Sequence, residues 1–322
     1  MSARIAKWAA ERKAKKQYNL SWGKTVKRDF KRNWGVYMIF LPVLAFYIIF
    51  RYIPIYGVVI AFQDFTITRG IMGSNWVGFD NFRRFFNSIF FSRVVGNTLR
   101  LSFLDLIFGF PAPIIFALLL NELRSNKFKR AVQTITYLPH FISTMVIVGM
   151  IMQFALRDGL FNDVIVFFGG ERSDLLMHSQ NFRPIFIGSG IWQSIGWGSI
   201  IYLAALTSID QELYEAAVID GANRWKQTLY ITLPGILPTI MILLIFRIGS
   251  LMNVGFERVF LMYNPAIYDV SDVIATFVFR RGLLDQDFSF ATAVGLFNSA
   301  INITLLIIAN AIGRKINENS IW

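Results

Sequence analysis

The chain has 322 residues, of which 55% are hydrophobic and 16% are charged, with a mean hydropathy of +0.49 and a formal charge of +12 at pH 7. Soluble domains carry about a quarter charged residues, so this composition excludes an ordinary soluble protein and indicates a membrane protein. The lack of cysteine excludes a disulfide framework, a thiolate metal site and a cysteine nucleophile. The two histidines, His140 and His178, are far apart in sequence, and we expect no metal site.

Residues 1–33 carry most of the positive charge. They contain eleven lysines and arginines but only two acids, Glu11 and Asp29, which leaves +3 for the rest of the chain. The charge is therefore local and gives no reason to expect a nucleic-acid partner. The basic stretch is too long for a signal peptide, and no small-residue cleavage site follows the first apolar run. We interpret it as a solvated basic tail that sets topology; an amphipathic helix on anionic membrane lipid is the alternative.

Six stretches are long and apolar enough to cross a bilayer, which takes about 20 helical residues. They are 34–62, 93–120, 131–155, 184–206, 233–262 and 291–313. The predicted fold is therefore all-α and integral to the membrane, with six transmembrane helices. Several prolines fall inside these stretches, which is typical of kinked helices packed in a bundle or around a cavity.

The basic residues also predict an orientation, because lysine and arginine near membrane spans stay on the cytoplasmic side. With the tail inside, the inner segments are 121–130, 207–232 and 314–322, and all eleven lysines lie inside. The outer segments, 63–92, 156–183 and 263–290, contain no lysine. Both termini are expected in the cytoplasm.

The inner segment 207–232 is long and amphipathic, and prolines follow it. Its sequence runs Glu215-Ala216-Ala217, then Gly221, Ile231 and Leu233-Pro234. It resembles the EAA loop of binding-protein-dependent ABC transporter permeases, whose pattern is Glu-Ala-Ala, three residues, Gly, nine residues, Ile, one residue, Leu-Pro. Every fixed position matches. Many relatives have proline where this chain has Asp210, a departure that alters only the entry to the loop helix.

The resemblance implies that this loop docks on a cytoplasmic ATPase subunit and transmits its closure to the membrane helices. Without the motif, the segment would be interpreted as an interfacial helix joining two spans. The expected coupling residues are Glu215, Ala216, Ala217, Asp220, Gly221, Ile231, Leu233 and Pro234. The chain itself is expected to lack an ATP site, because Gly23-Lys24-Thr25 is preceded by Tyr18 where a P-loop needs glycine.

The resemblance extends at lower specificity from about residue 37 to the end. Pro54 to Gly57 and Gly255-Phe256-Glu257, followed by Tyr263-Asn264-Pro265, are similar to permeases that import oligosaccharides or polysaccharide fragments in bacteria. The fold implied is that of a type I ABC importer permease. Its parts would be the tail 1–33, a first helix 34–62, a core 93–313 and the C-terminus 314–322.

The implied partners are a second, distinct permease, two ATPase subunits that bind ATP and Mg, and an extracytoplasmic substrate-binding protein. The implied location is the bacterial cytoplasmic (inner) membrane. No cofactor is expected on this chain itself.

Charges inside a span are costly and mark candidate functional residues. Arg100, Asp105 and Arg247 lie in predicted spans, and we favour structural pairing, with Arg247 meeting Asp105, over substrate contact. Amides, carboxylates and aromatic rings are the groups that bind sugars. The candidate pathway residues are Trp192, Gln193, Trp197, Asn253, Phe256 and Glu257. Asn253 and Glu257 are expected to share a helix face.

Anchoring of the tryptophans in the membrane interface and amide bonds between helices are the alternatives for these residues. For Asn298 and Asn302 we favour helix packing.

Two other functions are disfavoured. A membrane enzyme acting on lipid or glycan, with Asp105 as base, would need a second carboxylate or a histidine beside it, and none is evident. An ion-coupled secondary transporter would show two repeated halves, which the sequence lacks.

Overall fold

A computed structural model describes residues 22–317 of the chain, with the side chains of residues 26–315. The chain divides into two compact units, Met1–Val59 and Ile60–Trp322. Most of the basic tail, and with it the choice between a solvated tail and a lipid-bound helix, lies outside the described residues.

The described part of the chain is mostly helical. In the first unit α1 is Trp22–Arg32 and α2 is Trp34–Tyr47, followed by a π turn at Ile48–Tyr52 and a short helix at Ile53–Ile55. A 3₁₀ segment, Tyr56–Phe62, leads into the second unit. The longer helices of the second unit are α3 Asp80–Phe86, α4 Phe91–Leu104, α5 Pro111–Asn121, α6 Asn126–Tyr137, α7 Thr144–Ala155, α8 Leu160–Phe167, α9 Ser179–Leu206, α10 Gln211–Ile219, α11 Leu233–Gly249, α12 Phe256–Met262 and α13 Phe288–Asn317.

Shorter elements connect these helices. Two-residue strands β1, Gln63–Asp64, and β2, Asn75–Trp76, pair antiparallel with Gln63 opposite Trp76. Short helices lie at Gly70–Gly73, Arg224–Gln227, Tyr268–Ser271 and Ile274–Phe279; π turns lie at Asp105–Gly109, Thr228–Thr232 and Arg280–Leu284; and 3₁₀ turns lie at Leu138–Phe141, Leu175–Met177 and Pro265–Ile267.

Four described helices are long and apolar enough to cross a membrane. They are Trp34–Phe62, Phe91–Asn121, Arg224–Gly249 and Phe288–Lys315. The pair Asn126–Phe141 and Thr144–Ala155 raises the number to five if it forms one span, but the two parts meet at a bend of 100°. The predicted third span, 131–155, is therefore broken, because Pro139 and the residues after it interrupt the helix.

Two other predicted spans also differ from the structure. The fifth, 233–262, ends at Gly249, and residues 250–255 form no helix before α12 begins. The fourth, 184–206, lies within the 28-residue helix α9, which is long enough to cross a bilayer but falls short of the four in apolar character. Its glycines, serines and buried Gln193 explain the difference, because they pack against protein rather than lipid.

The long helix α9 is the centre of the second unit, where it packs against α5, α6 and α11. One cluster of buried side chains joins it to α4, α7 and α12 through Leu101, Ile147, Phe186 and Val259. Gly196 of α9 permits the closest approach to α6, because a Cβ there would lie 2.2 Å from the carbonyl oxygen of Thr136. The helices can cross at this distance only if the position has no side chain.

Replacing Gly196 with alanine is expected to lower the free energy of unfolding by about 1–3 kcal/mol, because backbone atoms rather than a flexible side chain oppose the added methyl group. Gly188→Ala, on the same helix, is the matched control, since a Cβ there meets nothing within 4 Å. Thermal unfolding of the detergent-purified variants measures the difference. Equal melting temperatures for the two variants would contradict this packing.

A fully buried carboxylate, that of Asp272, joins the segment after α12 to α4. It accepts hydrogen bonds from Arg93 Nη2 at 3.2 Å, Arg280 Nη2 at 2.7 Å and Thr276 Oγ1 at 3.0 Å. The backbone carbonyl of Asp272 also accepts a hydrogen bond from Asn97 Nδ2 at 3.1 Å. A buried charge is stable only when paired in this way, so Asp272 holds the segment after α12 in place.

Candidate functional site

The EAA segment, residues 207–234, folds as a helix, a turn and a second short helix. Asp210 begins α10 as its N-cap, and its side chain accepts a hydrogen bond from the backbone N–H of Glu212 at 3.0 Å. Asn223 caps the second helix in the same way, with Lys226 N at 2.9 Å. Asp210 is thus a good helix start, although it stands where many EAA loops have proline.

The turn between the two helices depends on Gly221. Its φ is +75°, in the left-handed region that side-chain-bearing residues avoid. The backbone N–H of Ala222 donates to Ala217 O at 2.8 Å and that of Gly221 to Val218 O at 3.0 Å. This pair of bonds is the Schellman motif that ends a helix at a glycine. The fixed glycine of the pattern therefore sets the angle at which the second helix leaves α10.

Further hydrogen bonds make the segment rigid. The hydroxyl groups of Tyr214 and Thr232 form a hydrogen bond with an oxygen–oxygen distance of 2.9 Å, which links α10 to the π turn before α11. Gln227 is buried and donates from Nε2 to Ala222 O at 2.9 Å. These bonds connect α10 to the start of α11, where Leu233 and Pro234 begin the helix.

The outer surface of the EAA segment carries large apolar side chains with little contact to the rest of the chain. Ile219 is 86% exposed, Trp225 69% and Tyr230 76%. Glu215 is exposed beside them, and it borders a groove that also contains Glu122 and Arg224. Of the remaining predicted coupling residues, Ala216, Asp220 and Pro234 are exposed and Ala217, Ile231 and Leu233 are partly buried. Exposed apolar residues in such a cluster are typical of an interaction surface.

A polar cavity of about 420 Å³ lies between α4, α9, α11 and α12. It contains four charged side chains, those of Asp105, Arg247, Glu257 and Arg258. Asp105 and Arg247 form an ion pair, as the sequence suggested for these two residues. Asp105 starts a π turn whose last residue, Gly109, leaves room for the carboxylate, since a Cβ there would lie 2.3 Å from Asp105 Oδ1. Arg100 is exposed and does not line the cavity.

The predicted pathway residues are only partly brought together. Asn253, Phe256 and Glu257 line the polar cavity. Asn253 does not share a helix face with Glu257 as expected, because it precedes α12 in an irregular segment. Its Oδ1 accepts hydrogen bonds from Asn298 Nδ2 at 3.1 Å and Asn302 Nδ2 at 3.3 Å. These three amides therefore pack α13 against the end of α11.

The residues predicted on α9 point in different directions. Gln193 is buried and accepts a hydrogen bond from Arg258 beside the polar cavity. Trp192 lines a separate, apolar pocket. Trp197 stacks on His140 at a ring distance of 4.6 Å and an interplanar angle of 3°. The two tryptophans thus lie outside the cavity that holds Glu257.

Arg258, a charged residue of the polar cavity, was not among the candidates predicted from the sequence. It lies within the predicted span 233–262, where the cost of an unpaired charge already marks an arginine as a candidate. Within residues 22–317, no group of three or more His, Cys, Asp and Glu side chains is arranged to hold a metal ion.

The pairing of Asp105 with Arg247 predicts a distinctive mutational pattern. Asp105→Asn and Arg247→Gln are each expected to lower the free energy of unfolding, because each leaves one charge unpaired. The double variant is expected to recover about 1 kcal/mol relative to the sum of the single variants. Thermal unfolding of the detergent-purified variants measures the difference. A double variant that loses as much stability as the two single variants together would contradict the pairing.

Comparisons with known proteins agree with these features. Residues 109–318 match the family described as binding-protein-dependent transport system inner membrane component. Protein LplB of Bacillus subtilis strain 168 is 44% identical over 304 residues, covering 94% of each chain. The polygalacturonan/rhamnogalacturonan transport system permease protein YteP of the same strain is 44% identical over 288 residues, covering 89% of this chain and 90% of YteP.

A solved structure is similar over almost the same length. It is a chain of a bacterial alginate ABC transporter, crystallised in complex with an alginate pentasaccharide-bound periplasmic protein. The TM-score is 0.84 and the identity 41%, and the match covers 91% of this chain and 99% of that chain.

Proposed function

Because the chain belongs to the family of binding-protein-dependent transport system inner membrane components, we propose that it is the permease subunit of an ATP-driven carbohydrate importer. It forms the pathway for an oligosaccharide or polysaccharide fragment that an extracytoplasmic binding protein delivers. The names of two similar proteins support the substrate class. YteP is named as a permease for polygalacturonan and rhamnogalacturonan, and the similar structure is a chain of an alginate transporter.

The observation that carries the proposal is the EAA segment. It combines a rigid helix–turn–helix, an exposed apolar surface around Ile219 and Trp225, and the exposed carboxylate of Glu215. Such a surface fits a groove on a soluble partner, and small residues at Ala216 and Ala217 allow close approach. The partner we propose is a cytoplasmic ATPase subunit, present twice, which binds the ATP and Mg and hydrolyses the ATP.

The membrane arrangement follows the same proposal. We place α9 and the bent pair α6 and α7 in the membrane in addition to the four long apolar helices, which makes six spans. A second, distinct permease would cover the polar part of α9, because exposing polar groups to lipid is costly. The distribution of lysines supports cytoplasmic termini and a cytoplasmic EAA segment in the bacterial inner membrane.

Transport then requires alternating access. ATPase closure moves α10, the rigid EAA segment moves the start of α11, and α11 carries Arg247 of the polar cavity. The cavity opens outward when the ATPases close and inward after hydrolysis. Asn253, Phe256 and Glu257 line this pathway, whereas Trp192 and Trp197 lie outside it and are better assigned to helix packing or to the membrane interface.

The experiment is uptake of radiolabelled oligogalacturonate, matched to the name of YteP, by cells that express the chain with its neighbouring transport genes. Uptake is expected with the complete set and is expected to be lost when this chain alone is deleted. If the deletion leaves uptake unchanged, and uptake of neutral oligosaccharides is unchanged as well, the proposed function is wrong.

A further inference from the structure

The polar cavity holds the guanidinium of Arg258 from two sides. Arg258 Nη2 donates a hydrogen bond to Gln193 Oε1 of α9, and its Cζ lies 5.8 Å from the ring centroid of Phe186. Gly190, one turn before Gln193, makes the space, because a Cβ there would lie 2.4 Å from Arg258 Nη1. Helix α9 thus forms a site that fits the flat guanidinium group.

This guanidinium has no carboxylate partner in the part of the chain that the structure describes. Asp105 of the same cavity pairs with Arg247. Glu257 is adjacent in sequence and acts on Arg258 electrostatically, but it is exposed and no ion pair within 4.0 Å joins the two. Arg258 Nε is buried without a hydrogen-bond acceptor. A partly buried cation in this condition is costly unless an anion binds to it.

The cavity also offers groups of other kinds next to the cation. Glu257 is a carboxylate that accepts hydrogen bonds from hydroxyl groups, and Phe256 is 37% exposed and presents part of its ring. The volume of about 420 Å³ lies in the range of small-ligand pockets, about 300–1,000 Å³. A ligand that matches all three groups carries an anionic group, hydroxyl groups and an apolar ring face.

We propose that the polar cavity binds a uronate unit, a sugar that carries a carboxylate, and that Arg258 recognises the carboxylate while Gln193 and Gly190 position its guanidinium. The forked guanidinium group matches a carboxylate in geometry and charge, and neutral sugars have no carboxylate. Glu257 accepts hydrogen bonds from the sugar hydroxyl groups. The inference rests on the proposed function and makes it more specific, because the importer then selects acidic over neutral saccharides inside the membrane.

The test uses the assembled complex of permeases and ATPases in lipid nanodiscs, without the binding protein, so that selection at delivery plays no part. Equilibrium dialysis measures the binding of radiolabelled tetragalacturonate and of its methyl ester, which is neutral but otherwise matched. The measurement is made with and without a non-hydrolysable ATP analogue, since the cavity opens to one side at a time. The variants are Arg258→Gln, Arg258→Lys and Gly190→Ala, with the exposed Arg83→Gln as control.

The wild-type complex and the Arg83→Gln control are expected to bind the acid about tenfold more tightly than the ester, the effect of one charge-assisted hydrogen-bonded pair. Arg258→Gln is expected to abolish this preference, Arg258→Lys to keep part of it, and Gly190→Ala to reduce it by displacing the guanidinium. Equal binding of acid and ester to the wild type, undetectable binding of the acid, or an unchanged preference in Arg258→Gln would overturn the inference.

Failure of this inference is distinguishable from failure of the proposed function. Cells that import oligosaccharide through the wild-type system, while the dialysis shows no acid preference, retain the function and reject the role of Arg258. If cells with the normally inserted wild-type chain import no oligosaccharide at all, both the proposed function and the role of Arg258 are rejected. Size-exclusion profiles and melting temperatures show whether a variant has lost its fold, and the Lys and Gly190→Ala variants then decide the outcome.

Discussion

Replacing Gly221 with valine is expected to reduce uptake by about 30-fold or more, the effect of losing about 2 kcal/mol of docking free energy at a central interface position. Valine is strained at a φ of +75°, so the Schellman turn opens and the second helix leaves α10 at another angle. Glu215→Ala is expected to have a similar effect, because it removes the carboxylate from the docking surface. In both variants ATP hydrolysis should continue without stimulation by loaded binding protein.

Matched variants separate coupling from general damage. Gly221→Asn is expected to retain most of the uptake, since asparagine tolerates the left-handed conformation better than other side chains do. Glu212→Ala removes another exposed acid from the same helix and should change uptake little. Uptake and ATPase activity are measured on the same proteoliposomes. If Gly221→Val and Glu215→Ala are normally inserted and still transport at the wild-type rate, the EAA segment does not couple the two activities.

Replacing Asp272 with alanine is expected to lower the free energy of unfolding by about 3 kcal/mol, the lower end of the range for breaking a buried ion pair. The lower end applies because the side chains of Arg93 and Arg280 are 34% and 22% exposed, so water partly solvates the two guanidinium groups left behind. Thr276 also loses its hydrogen-bond acceptor on the Asp272 carboxylate. Thermal and denaturant unfolding in detergent measure the loss.

The control for Asp272 is Asp285→Ala. Asp285 pairs with Arg281 at 3.0 Å on the surface, where the side chains are 51% and 41% exposed. An exposed pair of this kind contributes at most about 1 kcal/mol. If the two alanine variants lose the same stability, Asp272 does not hold the segment after α12 to α4.

The EAA segment could be recognised in the sequence because local chemistry determines its helices and turn. A capping aspartate, a glycine at the end of a helix and a proline at the start of the next helix act within a few residues. The breaks in the third and fifth spans were not predicted, since apolar composition continues across Pro139 and across residues 250–255. Packing against neighbouring helices, which a hydropathy pattern does not contain, decides where such helices stop.

The candidate pathway was predicted less completely for the same reason. Helical spacing alone suggested that Asn253 and Glu257 share a helix face, and residue type made Trp197 a candidate for the same pathway. Tertiary contacts instead direct Asn253 to the amides of α13 and Trp197 to His140. Arg258 carried a usable signal, an arginine inside an apolar stretch. Its contacts with Gly190 and Gln193 could not be predicted, because those residues lie on α9, which is distant in sequence from α12.

We propose that this chain is the membrane subunit of an ATP-driven carbohydrate importer and that the ATPase moves it through the EAA segment. The most direct measurement is ATP-dependent uptake of oligogalacturonate by proteoliposomes that contain this chain, its co-purified ATPase and permease partners, and the binding protein. We predict uptake that requires ATP and is lost in Gly221→Val but kept in Gly221→Asn. Uptake that persists without ATP and follows an ion gradient would contradict this function. Purification of the chain without any ATPase would contradict it as well.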